Sequence, residues 1–253
     1  MLLLVADTSG KSGFVGLVRA GEGEQPDKVE VIEEVLLAGG TFSALLVGQI
    51  AGLLEKHGFR KTEIDAFIVV SGPGSFTGLR VGLAAIKALA EILQKPIVPV
   101  SLLEVLARYD QVNVAANEKA VRSATFRYAV ALDAGRKEAY VGQYEMVIAS
   151  KMSHSCKCVA ESLLDMQSLA GLVKSGELLW IATPDRVIGD ALRERLGVSL
   201  ENSIRDYVDR PHSAEVAAVG WNKLRAGETV SPEQLEANYM RRSDAEIFAK
   251  PSS

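Results

Sequence analysis

The sequence has few cysteines and histidines, the side chains from which most zinc centres are built. It contains only two cysteines and three histidines in 253 residues. Cys156 and Cys158 are separated by one residue and have no second pair, so the spacing of a zinc knuckle is absent. His57, His154 and His212 are far apart and form no HxxxH or HExxH pair. We therefore predict no metal site, and we expect both cysteines to be reduced and to lie on a strand.

Excess positive charge and long apolar runs are also lacking. The formal net charge is −4, so the surface as a whole offers no strong attraction to RNA. The longest charge-free apolar run, residues 42–54, is too short to span a bilayer. The opening MLLLVADTSG has no basic leader. No Gly-x-Ser-x-Gly motif is present, and no cysteine has an evident histidine partner. We expect a cytoplasmic protein without membrane contact, and we predict no catalytic residues.

The first part of the chain alternates strands and helices in the pattern of an α/β fold. Three strands separated by turns predict an antiparallel meander, after which helices and strands alternate. The predicted strands are residues 2–6, 14–20, 29–37, 66–70 and 97–100, and the predicted helices are residues 42–56 and 77–93 and a helix from Ser101 to about residue 108.

A polar segment, residues 110–125, separates this part from a second one that begins in the same way. Residues 127–149 again predict a strand that ends in Asp, a turn and a further strand. The elements predicted after it are helices near 161–173, 185–196 and 213–225 and a strand at 177–182. Two halves with the same opening, each followed by alternating helices and strands, indicate an internal duplication.

The loop SGPGSFTGLRVG, residues 71–82, lies between a predicted strand and a predicted helix and allows two interpretations. Free N–H groups at a helix start favour an anion, so the loop could form part of a nucleotide site. Two aspartates that end strands would then orient magnesium or a phosphate. Alternatively, the loop is a tight turn capped by Ser75 or Thr77, and the aspartates accept turn N–H groups. The residues of the first interpretation, a vestigial nucleotide cleft, are Asp7, Thr8, Gly72, Gly74 and Asp133.

The helices at 42–56 and 77–93 are apolar over more of their circumference than a helix lying on its own sheet requires. Glycines spaced by four residues occur in both, at 48 and 52 and at 78 and 82. An interior helical glycine costs about 0.5–1 kcal/mol relative to alanine, which a close approach of another backbone can offset. The two helices are either buried within the monomer or form a face that docks on a partner, and we favour docking. The predicted interface residues are Leu45, Gly48, Gly52, Leu79, Gly82 and Ile86.

Several segments together resemble the bacterial TsaB (YeaZ) family. They are the opening strand followed by Asp-Thr-Ser, the segment SGPGSFTGLRVGLAAIKALA at 71–90, the segment LDAGRKEAYVG at 132–142 and the closing LEANYMRR at 235–242. The resemblance implies an α/β fold of the actin, Hsp70 and sugar-kinase (ASKHA) superfamily with two duplicated lobes. We accordingly predict an N-terminal lobe at 1–109 that carries the docking helices, a C-terminal lobe at 126–230 and a C-terminal tail at 231–253.

The resemblance also implies a function. Proteins of this family act with a catalytic paralogue, TsaD, and an ATPase, TsaE, to form N6-threonylcarbamoyladenosine at position 37 of tRNAs that read ANN codons. The chain is then expected to be a non-catalytic subunit that binds and stabilises TsaD, that forms a homodimer when alone, and that meets tRNA only through the complex. The resemblance implies no cofactor of its own, with a nucleotide at the subunit junction as the alternative.

Other classes of function stay open at this point. An ATPase or small-molecule kinase would use Asp7, the loop at 72–78 and Asp133, although Asp133-Ala-Gly-Arg offers one glycine where a phosphate clamp of this fold usually has two. A peptidase would need metal ligands or a nucleophile that the sequence does not supply. A homodimer that needs no TsaD partner is the third alternative.

Overall fold

A computed structural model describes residues 1–21, 28–108, 124–150, 153–206 and 210–241. The chain divides into two compact units. The first contains residues 1–102 and the described residues from 211 onward, and the second contains residues 103–210. In this described part of the chain, no helix is long and apolar enough to cross a membrane.

The first unit is built on a five-stranded sheet with the order β3-β2-β1-β4-β5. Its strands are β1 (Leu2–Asp7), β2 (Ser12–Ala20), β3 (Val29–Ala38), β4 (Ala66–Gly72) and β5 (Ile97–Ser101). The first three pair antiparallel, as the meander predicts, and β1, β4 and β5 pair parallel. Every residue of β1 and β4 is buried, because helices cover both faces of the sheet at its centre.

Three helices cover this sheet. They are α1 (Phe42–Lys56), α2 (Phe76–Leu93) and α6 (Ser213–Arg225). The first two pack over one face, where Leu46, Ile50 and Ile86 join a core cluster with Phe67 of β4. The third lies on the opposite face, because Gly220 contacts Ile68, whose side chain alternates with that of Phe67.

The second unit repeats this topology. Its sheet has the order β10-β9-β6-β7-β8, in which β6 takes the place of β1. The strands are β6 (Ala124–Gly135), β7 (Glu138–Ser150), β8 (Ser153–Asp165), β9 (Ile181–Thr183) and β10 (Ile204–Asp206), and the helices are α3 (residues 102–108), α4 (Met166–Lys174) and α5 (Arg186–Leu196). The first three strands pair antiparallel and the rest parallel. The duplicated, two-lobed α/β fold is therefore confirmed.

The unit boundaries differ from those predicted from the sequence. The predicted C-terminal lobe, 126–230, included α6, but α6 packs on the sheet of the first unit. Its Ser213 lies so close to Gly16 of β2 that a Cβ at position 16 would approach the Ser213 Cβ to 2.6 Å. Residues 103–108, which were predicted in the N-terminal lobe, belong to the second unit. The predicted linker at 110–125 lies almost entirely outside the described residues.

Two elements of the second half begin or end elsewhere than predicted. The helix predicted at 161–173 starts only at Met166, because β8 continues through Asp165. Asp165 ends this strand and caps α4, accepting hydrogen bonds of 2.8 Å from the backbone N–H groups of Gln167 and Ser168. The strand predicted at 177–182 is the short β9.

Candidate functional site

The side chain of Asp7, the last residue of β1, stabilises the turn that follows this strand. Asp7 is buried, and its Oδ1 accepts a hydrogen bond of 2.7 Å from the backbone N–H of Ser9. The hydroxyl of Thr8 donates a hydrogen bond of 2.8 Å to the carbonyl oxygen of Gly78 in α2. Both side chains of the predicted nucleotide cleft in this turn therefore have structural partners within the first unit.

The loop between β4 and α2 is a capped helix start. The Oγ of Ser75 accepts a hydrogen bond of 3.2 Å from the backbone N–H of Gly78, so Ser75 is the cap, as one interpretation of the sequence predicted. The backbone N–H of Ser75 donates a hydrogen bond of 2.6 Å to the carbonyl oxygen of Ser9. The start of α2 is thereby attached to the turn that follows β1.

Three glycines of this region allow another segment of the chain, residues 8–9, to pack closely against them. A Cβ at Gly74 would overlap the carbonyl oxygen of Ser9, and a Cβ at Gly78 would overlap that of Thr8. One at Gly82 would overlap the hydroxyl of Thr8. The glycines are therefore required by the close packing of α2 against residues 8–9. They make room for residues 8 and 9 of the same chain.

The C-terminal segment covers the other side of this loop. The backbone N–H of Asn238 donates a hydrogen bond of 2.7 Å to the carbonyl oxygen of Ser71. Gly72 has a φ of 131°, and a Cβ there would lie 2.8 Å from the Asn238 carbonyl oxygen. The ring of the next residue, Tyr239, packs against that of Phe76 in a tilted arrangement with 4.7 Å between the centroids. The segment predicted as a tail therefore packs against the start of α2.

Asp133, the fifth residue of the predicted cleft, lies in the second unit at the end of β6. It is exposed, and its Oδ1 accepts a hydrogen bond of 2.8 Å from the backbone N–H of Gly135. The Asp133 N–H donates to Asp185, whose carboxylate forms an ion pair of 3.1 Å with Arg210. Asp133 thus stabilises the β6–β7 turn, as Asp7 stabilises the turn after β1.

The outer face of α1 is apolar and uncovered in the described residues. Leu45 and Val47 are 42% and 57% exposed. Gly48 and Gly52 are exposed as well, and no other atom would lie within 4 Å of a Cβ added at either position. Gly48 and Gly52, which the sequence predicted at an interface, therefore form notches on an exposed apolar surface, that is, positions without a side chain and without packed neighbours. We call the surface formed by Ala44, Leu45, Val47, Gly48, Ala51 and Gly52 the α1 face.

The interface predicted on α2 is wrong for its three residues. Leu79 and Ile86 are fully buried, and Gly82 lies against Thr8. The additional apolar surface of α2 is covered from within the unit, by the sheet and α1 and by a core that includes Leu235. The exposed residues of α2 are others, among them Ile92, which is 71% exposed.

Sequence reasoning also missed two residues of the α1 face, Val47 and Ala51. Both are exposed, and they lie one turn apart beside the glycines. The signal that could have identified them is the helical period, because residues 44, 47, 48 and 51 share one side of a helix whose opposite side carries Leu46, Ile50 and Leu53.

Comparison with known proteins agrees with the resemblance seen in the sequence. A family model described as "TsaD: tRNA N6-adenosine threonylcarbamoyltransferase" matches residues 37–249. The chain is 33% identical over 108 residues to the tRNA threonylcarbamoyladenosine biosynthesis protein TsaB of Haemophilus influenzae, covering 43% of this chain and 42% of that protein. It is 25% identical over 213 residues to the Escherichia coli protein of the same name, covering 79% and 80%.

The match to the Haemophilus protein thus spans less than half of that protein's length. Among solved structures, YeaZ from Pseudomonas aeruginosa superposes with a TM-score of 0.66 at 23% identity, covering 94% of this chain and 100% of that one. This similarity shows the fold. Because the family model covers most of the sequence and the named relatives are TsaB and YeaZ proteins, the chain belongs to the tRNA N6-adenosine threonylcarbamoyltransferase family and, within it, to the TsaB (YeaZ) group.

Proposed function

We propose that this protein takes part in the biosynthesis of N6-threonylcarbamoyladenosine in tRNA as a non-catalytic subunit that binds and stabilises a TsaD paralogue. The names of its relatives support the pathway. The observation that carries the partner role is the α1 face, an exposed apolar helix surface with two open glycine notches. Exposed contiguous apolar surface of this kind is typical of protein interaction sites.

The chemistry of the α1 face favours another helix as the group that docks there. The face carries no charge before Glu55, so it offers apolar contact and no ion pairs. Gly48 and Gly52 have no side chains and lie one turn apart, so a second helix can approach the backbone of α1 closely. A paralogue with the same fold has a corresponding helix to offer. In the isolated chain, the same surface would pair two copies.

The arrangement around the glycine loop supports a role without nucleotide chemistry at this loop. Residues 8–9 pack directly against Gly74, Gly78 and Gly82, and Ser75 caps the helix start to which an anion would bind. In this proposal the loop positions α2, and α2 in turn supports α1. The net charge of −4 further supports contact with tRNA only within the complex, together with TsaD and the ATPase TsaE.

Co-purification tests the proposal. We expect Gly48→Arg to abolish the complex with the TsaD paralogue of the same organism and to abolish tRNA modification by the reconstituted complex. Charge and bulk at this notch would prevent the close approach of a second helix. The matched control is Gly171→Arg on α4, because Gly171 is likewise an exposed helical glycine without an atom within 4 Å of an added Cβ. If Gly48→Arg binds TsaD as the wild type does, the α1 face is not the interface.

A further inference from the structure

The turn between β6 and β7 holds two adjacent residues in the left-handed region of backbone space. Arg136 and Lys137 have φ angles of 57° and 63°, and they follow Gly135, whose φ is 71°. Because Gly135 pairs with Glu138, only Arg136 and Lys137 lie in the loop of this hairpin. A two-residue loop with a positive φ at both positions is a type I′ turn, which strongly prefers Asn-Gly, Asp-Gly or Gly-Gly. This hairpin has Arg-Lys in their place.

The left-handed conformation is strained for both residues, because their Cβ atoms lie close to the following carbonyl oxygen. One other non-glycine residue in the described part of the chain has a positive φ, Gln94. It ends α2, where a left-handed residue is customary. Arg136 and Lys137 have no helix end to explain them. Strained backbone of this kind is concentrated at functional sites.

Polarity alone does not account for the two residues in this turn. Arg136 and Lys137 are exposed, and Asn-Gly would be equally compatible with solvent and without the strain. What Arg136 and Lys137 add is two positive charges. The nearest acids in the sequence, Asp133 and Glu138, lie in the two strands. The strained turn therefore places two cations side by side at the end of the hairpin.

The acidic residues near the base of this hairpin are held by other groups of the second unit. Asp133 accepts a hydrogen bond of 2.8 Å from a backbone N–H of the turn. Asp165, which lies opposite Glu138 in β8, caps α4. Asp185 forms an ion pair of 3.1 Å with Arg210. These three carboxylates thus serve contacts within the unit.

The surroundings of the turn are open. Residues 135–137 are exposed, and no other atom would lie within 4 Å of a Cβ added at Gly135. A small anion such as a free nucleotide is normally bound in a cleft that encloses most of its surface. A polyanion needs no such cleft, because it presents many phosphates to surface cations and releases counterions when it binds. The geometry favours a nucleic-acid backbone over a free nucleotide.

We propose that Arg136 and Lys137 contact the phosphate backbone of the tRNA while it is modified. This inference rests on the proposed function, which supplies the tRNA, and adds a contact in the second unit, whereas the α1 face lies in the first. The formal net charge is −4, so two cations do not retain RNA on the isolated chain, and the contact forms in the complex with TsaD. Binding there offsets the folding free energy that is lost in the strained turn.

The test combines Arg136→Asn with Lys137→Gly, the residues that a type I′ turn prefers. This turn double variant should melt a few degrees above the wild type, because the strain is relieved. In the reconstituted complex, its Kd for tRNA should rise by about tenfold at about 0.15 M salt, and the slope of log K against log[salt] should become shallower by about two. If the variant lacks either the higher melting temperature or the weaker, less salt-dependent binding of tRNA, the proposal is overturned.

The same dipeptide at Arg60-Lys61 provides a matched control. Both residues are exposed, and Arg60 has an ordinary φ of −88°. Arg60→Asn combined with Lys61→Gly removes the same charge and should neither raise the melting temperature nor weaken tRNA binding. An equal loss of tRNA affinity in the two double variants would assign the effect to net charge and contradict the proposal. Arg136→Lys keeps both cations and should bind tRNA as the wild type does, because a backbone contact requires charge and reads no base.

Co-purification separates this inference from the proposed function. The turn double variant should still bind the TsaD paralogue, because the α1 face is unchanged. If the wild-type chain neither binds TsaD nor supports tRNA modification, the proposed function is wrong. If the wild-type chain does both and the turn double variant binds tRNA equally well, only the inference about Arg136 and Lys137 is wrong.

Discussion

The side chain of Thr8 lies directly against the Cα of Gly82, so that a methyl group at position 82 would overlap the Thr8 hydroxyl. The same hydroxyl donates its hydrogen bond to the carbonyl oxygen of Gly78, one turn earlier in α2. The glycines at 78 and 82 are therefore the means by which α2 packs on the end of β1. The spacing of four residues between Gly78 and Gly82 is therefore explained by a contact with Thr8 inside the first unit.

This contact predicts opposite effects for the same substitution in two helices. Gly82→Ala should destabilise the protein by about 1–3 kcal/mol, because the added methyl group has no space beside Thr8. Gly48→Ala in α1 should stabilise it by about 0.5–1 kcal/mol, because the position is open and alanine is the better helix former. Urea unfolding measures both.

A double substitution isolates the Thr8 contact. Thr8→Ala should offset part of the loss in Gly82→Ala, since it removes the atom that the new methyl group would overlap. Strictly additive effects of Thr8→Ala and Gly82→Ala would show that the two side chains do not interact and that α2 relaxes away from β1.

Much of the fold could be predicted from the sequence, because its strands carry strong and redundant signals. The runs LLLVA and AFIVV are apolar on both faces, as expected of central strands covered by helices on two sides. The repeated strand–Asp–turn motif predicted the duplication. The assignment of α6 to a unit could not be predicted, because an amphipathic helix indicates that it covers a sheet and does not indicate which one.

The candidate site could be predicted only in part, for a similar reason. The helices α1 and α2 share an apolar circumference and glycines four residues apart. In α1 this pattern corresponds to an exposed surface, and in α2 it corresponds to burial against Thr8 and beneath a core that includes Leu235. The covering residue is more than 140 positions away in the sequence. Local periodicity contains no information about such a distant neighbour.

The C-terminal segment is predicted to contribute to the stability of the first unit. Leu235 is 1% exposed in the core cluster that includes Leu83 and Ile86. Leu235→Ala should lower the free energy of unfolding by about 2–5 kcal/mol, because it leaves a cavity in this core. Ile92→Ala, at a position that is 71% exposed on α2, should change it by no more than about 0.5 kcal/mol. Similar urea midpoints for the two variants would mean that the segment does not pack as described.

The ring of Tyr239 is predicted to fasten this segment to the start of α2. It packs against the Phe76 ring at 4.7 Å between centroids, and its hydroxyl accepts a hydrogen bond of 3.3 Å from Arg80. Tyr239→Ala should destabilise the unit by about 1–2 kcal/mol, and Tyr239→Phe, which keeps the aromatic contact, should cost less than half of that. Thermal unfolding distinguishes these variants. An equal loss in both would assign the effect to the hydroxyl alone.

The carboxylate of Glu34 predicts how stability responds to acid. It accepts hydrogen bonds of 2.6 Å from the backbone N–H of Ser213 and 2.8 Å from Nδ1 of His212, at the start of α6. Burial acts to raise the pKa of Glu34, but the hydrogen bonds from Ser213 and His212 outweigh it, and the pKa lies below its ordinary value. A carboxylate with a lowered pKa in the folded state stabilises the protein above its unfolded pKa of about 4.3, and this contribution is lost as the pH falls through the folded value.

Glu34→Gln should therefore destabilise the protein by about 1–3 kcal/mol near neutral pH, the range for hydrogen bonds to a charged group. The deficit should shrink as the pH falls below about 4, where the wild-type carboxylate is protonated as well. Urea unfolding of both proteins at a series of pH values between about 7 and 3 measures the difference. A difference that stays constant across this range would mean that the charge of Glu34 is not what holds α6 to β3, and that only the shape of the side chain matters.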